Sequence, residues 1–166
     1  MADDATDFEA FYAASYRRVL GQIYLMCGDR AEAEDAVAEA FARAWQRWTQ
    51  VRDADSPEAW VRRVSSRIAI SGWRKTLNRM RAHQRAAGTD ELDGLSADRI
   101  ILVDALRRIP ADQRRVVVLH HLLDMPVQEI VDEVGAAAGT VKMRLSRGRR
   151  ALARALSDMQ SPAIRR

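Results

Sequence analysis

From Val127 to Leu156 the chain reads VQEIVDEVGAAAGTVKMRLSRGRRALARAL, a pattern that fits two short helices across a tight turn. Val127, Ile130, Val131 and Val134 fall on one face of a 3.6-residue period. Gly135 then stands where a helix end wants a residue tolerant of left-handed backbone. The second helix carries Val141, Leu145, Leu152 and Leu156 on one face, with Gly148 filling the seam. Its other face presents Lys142, Arg144, Arg147, Arg149 and Arg150. From Gly139 to Arg166 there are eight Lys or Arg and one acid, Asp158. An apolar stripe backing a cationic face suits the major groove of a duplex. A merely solvated helix, or one that binds a membrane surface or a calmodulin-like partner, shares part of this pattern. The order of helix, glycine turn and acid-poor cationic helix favours DNA.

Charge elsewhere is segmented. The formal net charge of +4 hides residues 1–58, with twelve acids against six bases, and residues 59–89, with eight bases and no acid. Two cationic blocks in an otherwise acidic chain suggest two contacts with one polyanion. No apolar run approaches the roughly 20 residues of a membrane span. The start, MADDATDFEAF, lacks a signal peptide's cationic and apolar regions. A cytoplasmic protein without membrane insertion is expected. Cys27 is the one cysteine, which excludes an internal disulfide and a cysteine-based zinc site. It falls on an apolar face, as a buried structural thiol would.

The N-terminal half reads as helices throughout. Phe8, Phe11, Tyr12, Tyr16, Val19, Leu20, Ile23, Tyr24 and Cys27 repeat at helical spacing, and Gly28 ends the run. Asp29 with Glu32 forms a capping-box signature. The next stripe runs through Ala33, Ala36, Val37, Ala40, Phe41, Ala44, Trp45 and Trp48. Ser56 and Pro57 are cap and first residue of a third helix to about Met80, which is expected to bury Trp60, Val61, Val64 and Ile68. Trp45 and Trp60 are both expected in the core. Trp73, beside Arg74 and Lys75, suits either the core or stacking on an unpaired base. Residues 82–98 lose periodicity and read as a flexible linker. A helix from Arg99 should bury Leu102, Val103, Leu106 and Ile109 before Pro110 breaks it. The next, 111–123, should turn Val116, Val117, Leu119 and Leu122 or Leu123 inward. No segment alternates with period two, so an all-α fold of two small helical domains is expected, 1–81 and 99–160, with a tail at 161–166.

Four motifs in order resemble the extracytoplasmic-function class of bacterial sigma factors. AEAEDAVAEAFARAWQRW resembles sigma region 2.2, with Asp35 at its acidic position. WVRRVSSRIAISGWRK resembles the Trp-led motif that ends in Arg, here Trp60 and Arg74. ALRRIPADQRRVVVLHHL resembles the start of region 4.1, and QEIVDEVG with GTVKMRLSRGRRAL resembles region 4.2. The resemblance implies a factor that binds core RNA polymerase and directs it to promoter DNA, with an anti-sigma factor as a further partner. Asp35, Glu39 and Arg43 become candidates for the polymerase contact. Trp60, Arg63, Arg67, Trp73, Arg74 and Lys75 become candidates at the melted minus-10 strand. Thr140, Lys142, Met143, Ser146 and Arg147 become candidates at the minus-35 duplex, with Arg144, Arg149 and Arg150 on phosphates. The chain departs from the family pattern at Ala38, Arg67, Ser71, Val131, Ala137 and Met143.

Two alternatives share these features. One is a helix-turn-helix regulator that works without polymerase. The other is a degenerate sigma-like protein that acts through protein contacts without reading promoters. Catalysis has little support: there is no phosphate-binding glycine loop or nucleophile motif. His120 and His121 are adjacent, so they point apart on a helix. No cofactor or metal is expected.

Overall fold

The computed structural model describes residues 2–80 and 97–160, with side chains over 4–69, 98 and 100–159. Every regular element among them is helical. The chain divides into two compact units, 1–89 and 90–166.

The first unit comprises α1 (Ala2–Cys27), α2 (Arg30–Gln46), α3 (Trp48–Arg52) and α4 (Pro57–Met80). Local chemistry sets the breaks. Gly28 takes φ 76° and closes α1. The Asp29 carboxylate accepts the Glu32 amide at 2.8 Å, capping α2. Ser56 Oγ accepts the Ala59 amide at 3.2 Å ahead of Pro57. α1 packs on α2 and α4, and α2 packs on α4. Val19, Ile23, Val37, Ala40, Val51 and Val61 are wholly buried between them. Arg18 donates from Nε and Nη2 to both oxygens of Glu58, at 2.8 and 2.7 Å, and ties α1 to the start of α4. Cys27 is half-buried rather than buried, with its thiol donating to the Asp29 carbonyl at 3.2 Å.

Two tryptophans depart from expectation. The helix expected to run through Trp48 breaks at Arg47 (φ −123°, ψ 26°). Trp48 therefore opens α3 and is buried, while Trp45, at the last turn of α2, is 47% exposed. Trp60 is half-buried, as are Val64 and Ile68. The inward face of α4 is instead Val61, Ser65, Ser66 and Ala69, a small-residue surface on which α1 and α2 can sit.

The second unit comprises α5 (Ala97–Arg107), α6 (Ala111–Val117), a π-helical turn over Val118–Leu122, α7 (Val127–Val134) and α8 (Ala138–Gln160). α5 begins within the segment read as linker. The rest of that segment, and the tail, lie outside the described residues. α5, α6 and α7 all pack on α8. Val116, Val117, Val118 and Leu119 are all buried, whereas Leu122 is 44% exposed. The extra residue in the π turn rotates Leu122 out of the α-helical stripe. Gly148 is buried in the seam. A Cβ there would lie 2.7 Å from Val117 Cγ2 and 3.2 Å from the Gln113 carbonyl oxygen, so glycine permits the close approach of α6 and α8.

Candidate nucleic-acid interface

α7, a turn and α8 form the helix-turn-helix that the sequence suggested. α7 presses Ile130 inward and ends at Gly135, whose φ of 66° and ψ of 38° are left-handed. The Gly135 amide donates back to the Val131 carbonyl at 2.9 Å. Upstream, His120 Nδ1 lies 2.9 Å from the Met125 carbonyl oxygen and pins the loop before α7. α8 starts without a side-chain hydroxyl at its cap, since Ala137 offers its carbonyl alone, to the Val141 amide at 3.0 Å.

α8 is sharply two-faced. Val141 and Leu145 are buried, Leu152 and Leu156 half-buried. Lys142, Met143, Arg147, Arg149 and Arg150 are exposed, and Thr140 and Ser146 partly so. Arg144 differs from the other cations. Its Nε lies 3.2 Å from Asp112 Oδ2 on α6, with the two side chains 29% and 52% exposed. Arg149 flanks the outward face beside His121, whose pKa is lowered by burial, then by His120 and by Arg149. Arg154 is also exposed, one turn beyond Arg150. The signal that marks it in the sequence is its i+4 spacing from Arg150, which extends the same cationic row.

Beneath this face are three buried charges that periodicity gave no sign of. Arg114, Arg115 and Glu133 are 3%, 9% and 2% exposed. Arg115 Nη2 donates to the main-chain carbonyl of Glu133 at 3.2 Å. This bond joins α6 to the last turn of α7, immediately before the turn that launches α8.

In the first unit, Arg67 is exposed on α4, and Arg63 is half-buried one turn earlier beside Trp60. The side chains of Trp73, Arg74 and Lys75 lie outside the described residues. On α2, Asp35, Glu39 and Arg43 are all exposed. Glu39 and Arg43 pair with each other at 2.7 Å, which leaves Asp35 one turn away on the same side of the helix. No cluster of metal-ligating side chains occurs among the described residues. No described helix is long and apolar enough to cross a membrane.

Comparison with known proteins gives this arrangement its meaning. The sigma-70 region 2 model matches residues 11–79, and the sigma-70 region 4 model matches residues 99–152. The chain belongs to the sigma-70 family. It is 31% identical over 160 residues to an RNA polymerase sigma-E factor of Streptomyces avermitilis, covering 95% of this chain and 88% of that one. It is 33% identical over 141 residues to the ECF RNA polymerase sigma factor SigL of Mycobacterium tuberculosis, covering 81% of this chain and 80% of that one. Its structure is similar to the sigma factor RpoE of Bartonella quintana, solved with the anti-sigma factor NepR. That likeness has a TM-score of 0.71 at 21% identity, over 91% of this chain and 97% of that one. As a sigma factor, the protein binds core RNA polymerase and directs promoter recognition, and it is an initiation factor rather than an enzyme. The region 4 match takes in α7 and α8 as far as residue 152, and the region 2 match takes in α2 and α4 as far as residue 79.

Proposed function

We propose a division of labour between the two units at residue level. α8 reads the minus-35 duplex, with Lys142, Met143, Ser146 and Arg147 at base edges and Thr140 at the helix entry. Arg149 and Arg150 hold phosphates, and Arg144 joins them when it leaves Asp112. On α4, Trp60, Arg63, Arg67, Trp73, Arg74 and Lys75 hold the melted minus-10 strand. Asp35, Glu39 and Arg43 on α2 meet the polymerase. The domains are residues 1–81 and 99–160, joined by 82–98. The protein works in the cytoplasm. An anti-sigma factor is a further partner, as NepR is for the sigma factor of similar fold.

The observation that carries this reading is the two-faced α8: a buried apolar stripe opposite an exposed row from Lys142 to Arg154. Such a row loses its value where salt screens phosphates, because counterion release drives the binding. Polymerase holoenzyme should therefore bind promoter duplex with an affinity that falls steeply with salt. Scrambling the minus-35 block should weaken it further at every salt concentration. Binding indifferent to the minus-35 sequence would refute the assignment of α8.

A further inference from the structure

Trp45 and Tyr12 stand 47% and 40% exposed on the first unit. They border a cleft of about 440 Å³ lined by Ala5, Phe8, Glu9, Tyr12 and Trp45. Its aromatic walls are braced from behind. The Phe8 ring centroid is 5.1 Å from that of Trp45 and 6.5 Å from that of Tyr12. Tyr12 stacks at 5.0 Å on Tyr16 and meets Phe41 at 4.9 Å, nearly edge to face. Rings fixed in this way lose little freedom when a ligand enters.

The chemistry of the cleft selects its occupant. Ring faces attract cations. Glu9 is exposed at the same cleft and makes no hydrogen bond or ion pair among the described residues. An aliphatic side chain would gain from the rings but would dehydrate this carboxylate without pairing it. Nucleic acid has the wrong sign for a segment, residues 1–58, with twelve acids and six bases. Among cations, the planar guanidinium can stack on a ring and still pair with a carboxylate in its own plane.

We propose that this cleft receives an arginine side chain of core RNA polymerase, held between Tyr12 and Trp45 with Glu9 as counter-ion. The proposal rests on assigning the outward face of α2 to the polymerase, since Asp35, Glu39 and Trp45 leave the same helix. It extends that contact onto α1.

The test is the affinity of full-length variants for core polymerase, with thermal melting of each variant alongside. Glu9→Arg and Trp45→Leu should each weaken binding at least tenfold, and Trp45→Phe should weaken it less. Glu9→Arg alters an exposed side chain, so its melting temperature should match the parent even if Trp45→Leu lowers it. Unchanged affinity in Glu9→Arg overturns the proposal. So does equal affinity in Trp45→Leu and Trp45→Phe, which marks an aliphatic occupant. Asp35→Asn with Glu39→Gln reports the neighbouring face separately. Weakened binding there with none in Glu9→Arg overturns the cleft and leaves the α2 face standing. Weakened binding in Glu9→Arg and Trp45→Leu alone supports the cleft and confines the α2 contact to Trp45.

Discussion

Gly148 and Val117 touch so closely that a single added carbon at position 148 would lie 2.7 Å from the valine Cγ2. Val117 is itself buried and β-branched, so it has little freedom to turn away. Gly148→Ala gains about 1 kcal/mol of helix propensity and meets an overpacking cost of about 1–3 kcal/mol. The expected net result is a loss of stability in the second unit, and Gly148→Leu should unfold it. Urea titrations of the variants check this. A more stable Gly148→Ala would mean that α6 and α8 can separate without cost.

Asp112 holds Arg144 in an ion pair that is largely solvated. Such pairs add at most about 1 kcal/mol of stability, so Asp112→Asn should hardly change the unfolding midpoint. It should release Arg144 toward a phosphate. The expected signature is tighter binding on all duplexes and a salt slope steeper by about one phosphate's worth. An unchanged slope would assign Arg144 to the fold alone.

Arg147 and Arg154 are both exposed on α8 but are expected to act differently. Arg147→Ala should lose about 1–3 kcal/mol of discrimination between intact and altered minus-35 duplexes. Arg154→Ala should weaken binding by the same factor on both. Competition titrations with paired duplexes separate the two effects. Uniform weakening by Arg147→Ala would make it a phosphate contact.

His121 links stability to pH. Partial desolvation, then His120 and Arg149, hold its pKa below the ordinary 6.5. The unfolded chain therefore takes up this proton first as pH falls. Its contribution to stability is complete above the ordinary value and declines below it, down through the folded value. His121→Gln should flatten this part of the stability profile of the second unit. The effect is small because the ring is exposed, and melting curves between pH 5 and 7.5 would resolve it.

Much of the fold was legible because short-range chemistry determines it. Gly28, Asp29, Ser56 with Pro57, and Gly135 each act on backbone within a few residues, and each marks a helix end where the sequence suggested one. Gly148 was recognisable as a seam residue because its neighbours on α8 form a regular apolar stripe. Trp45 was misread because its place at the edge of that stripe leaves burial to packing that periodicity does not encode. The break at Arg47 then moved Trp48, not Trp45, into the core. Of the two alternatives Leu122 and Leu123, the π turn exposes the first and leaves the second half-buried, because its wider turn shifts the register at its end. Of the site, the cationic face of α8 was visible in composition. The Arg144–Asp112 pair was not, because 32 residues separate partners that meet only when α6 docks on α8.

The bond from the Arg115 guanidinium to the Glu133 carbonyl has an evolutionary reading. The acceptor is a main-chain oxygen that any residue at position 133 carries, whereas the donor exists only while position 115 is a long, hydrogen-bonding side chain shut away from water. Descendants of this chain should therefore keep arginine at position 115, whatever its bond demands of the backbone at 133. Even as α8 drifts toward new promoters, the arginine behind its turn should stay.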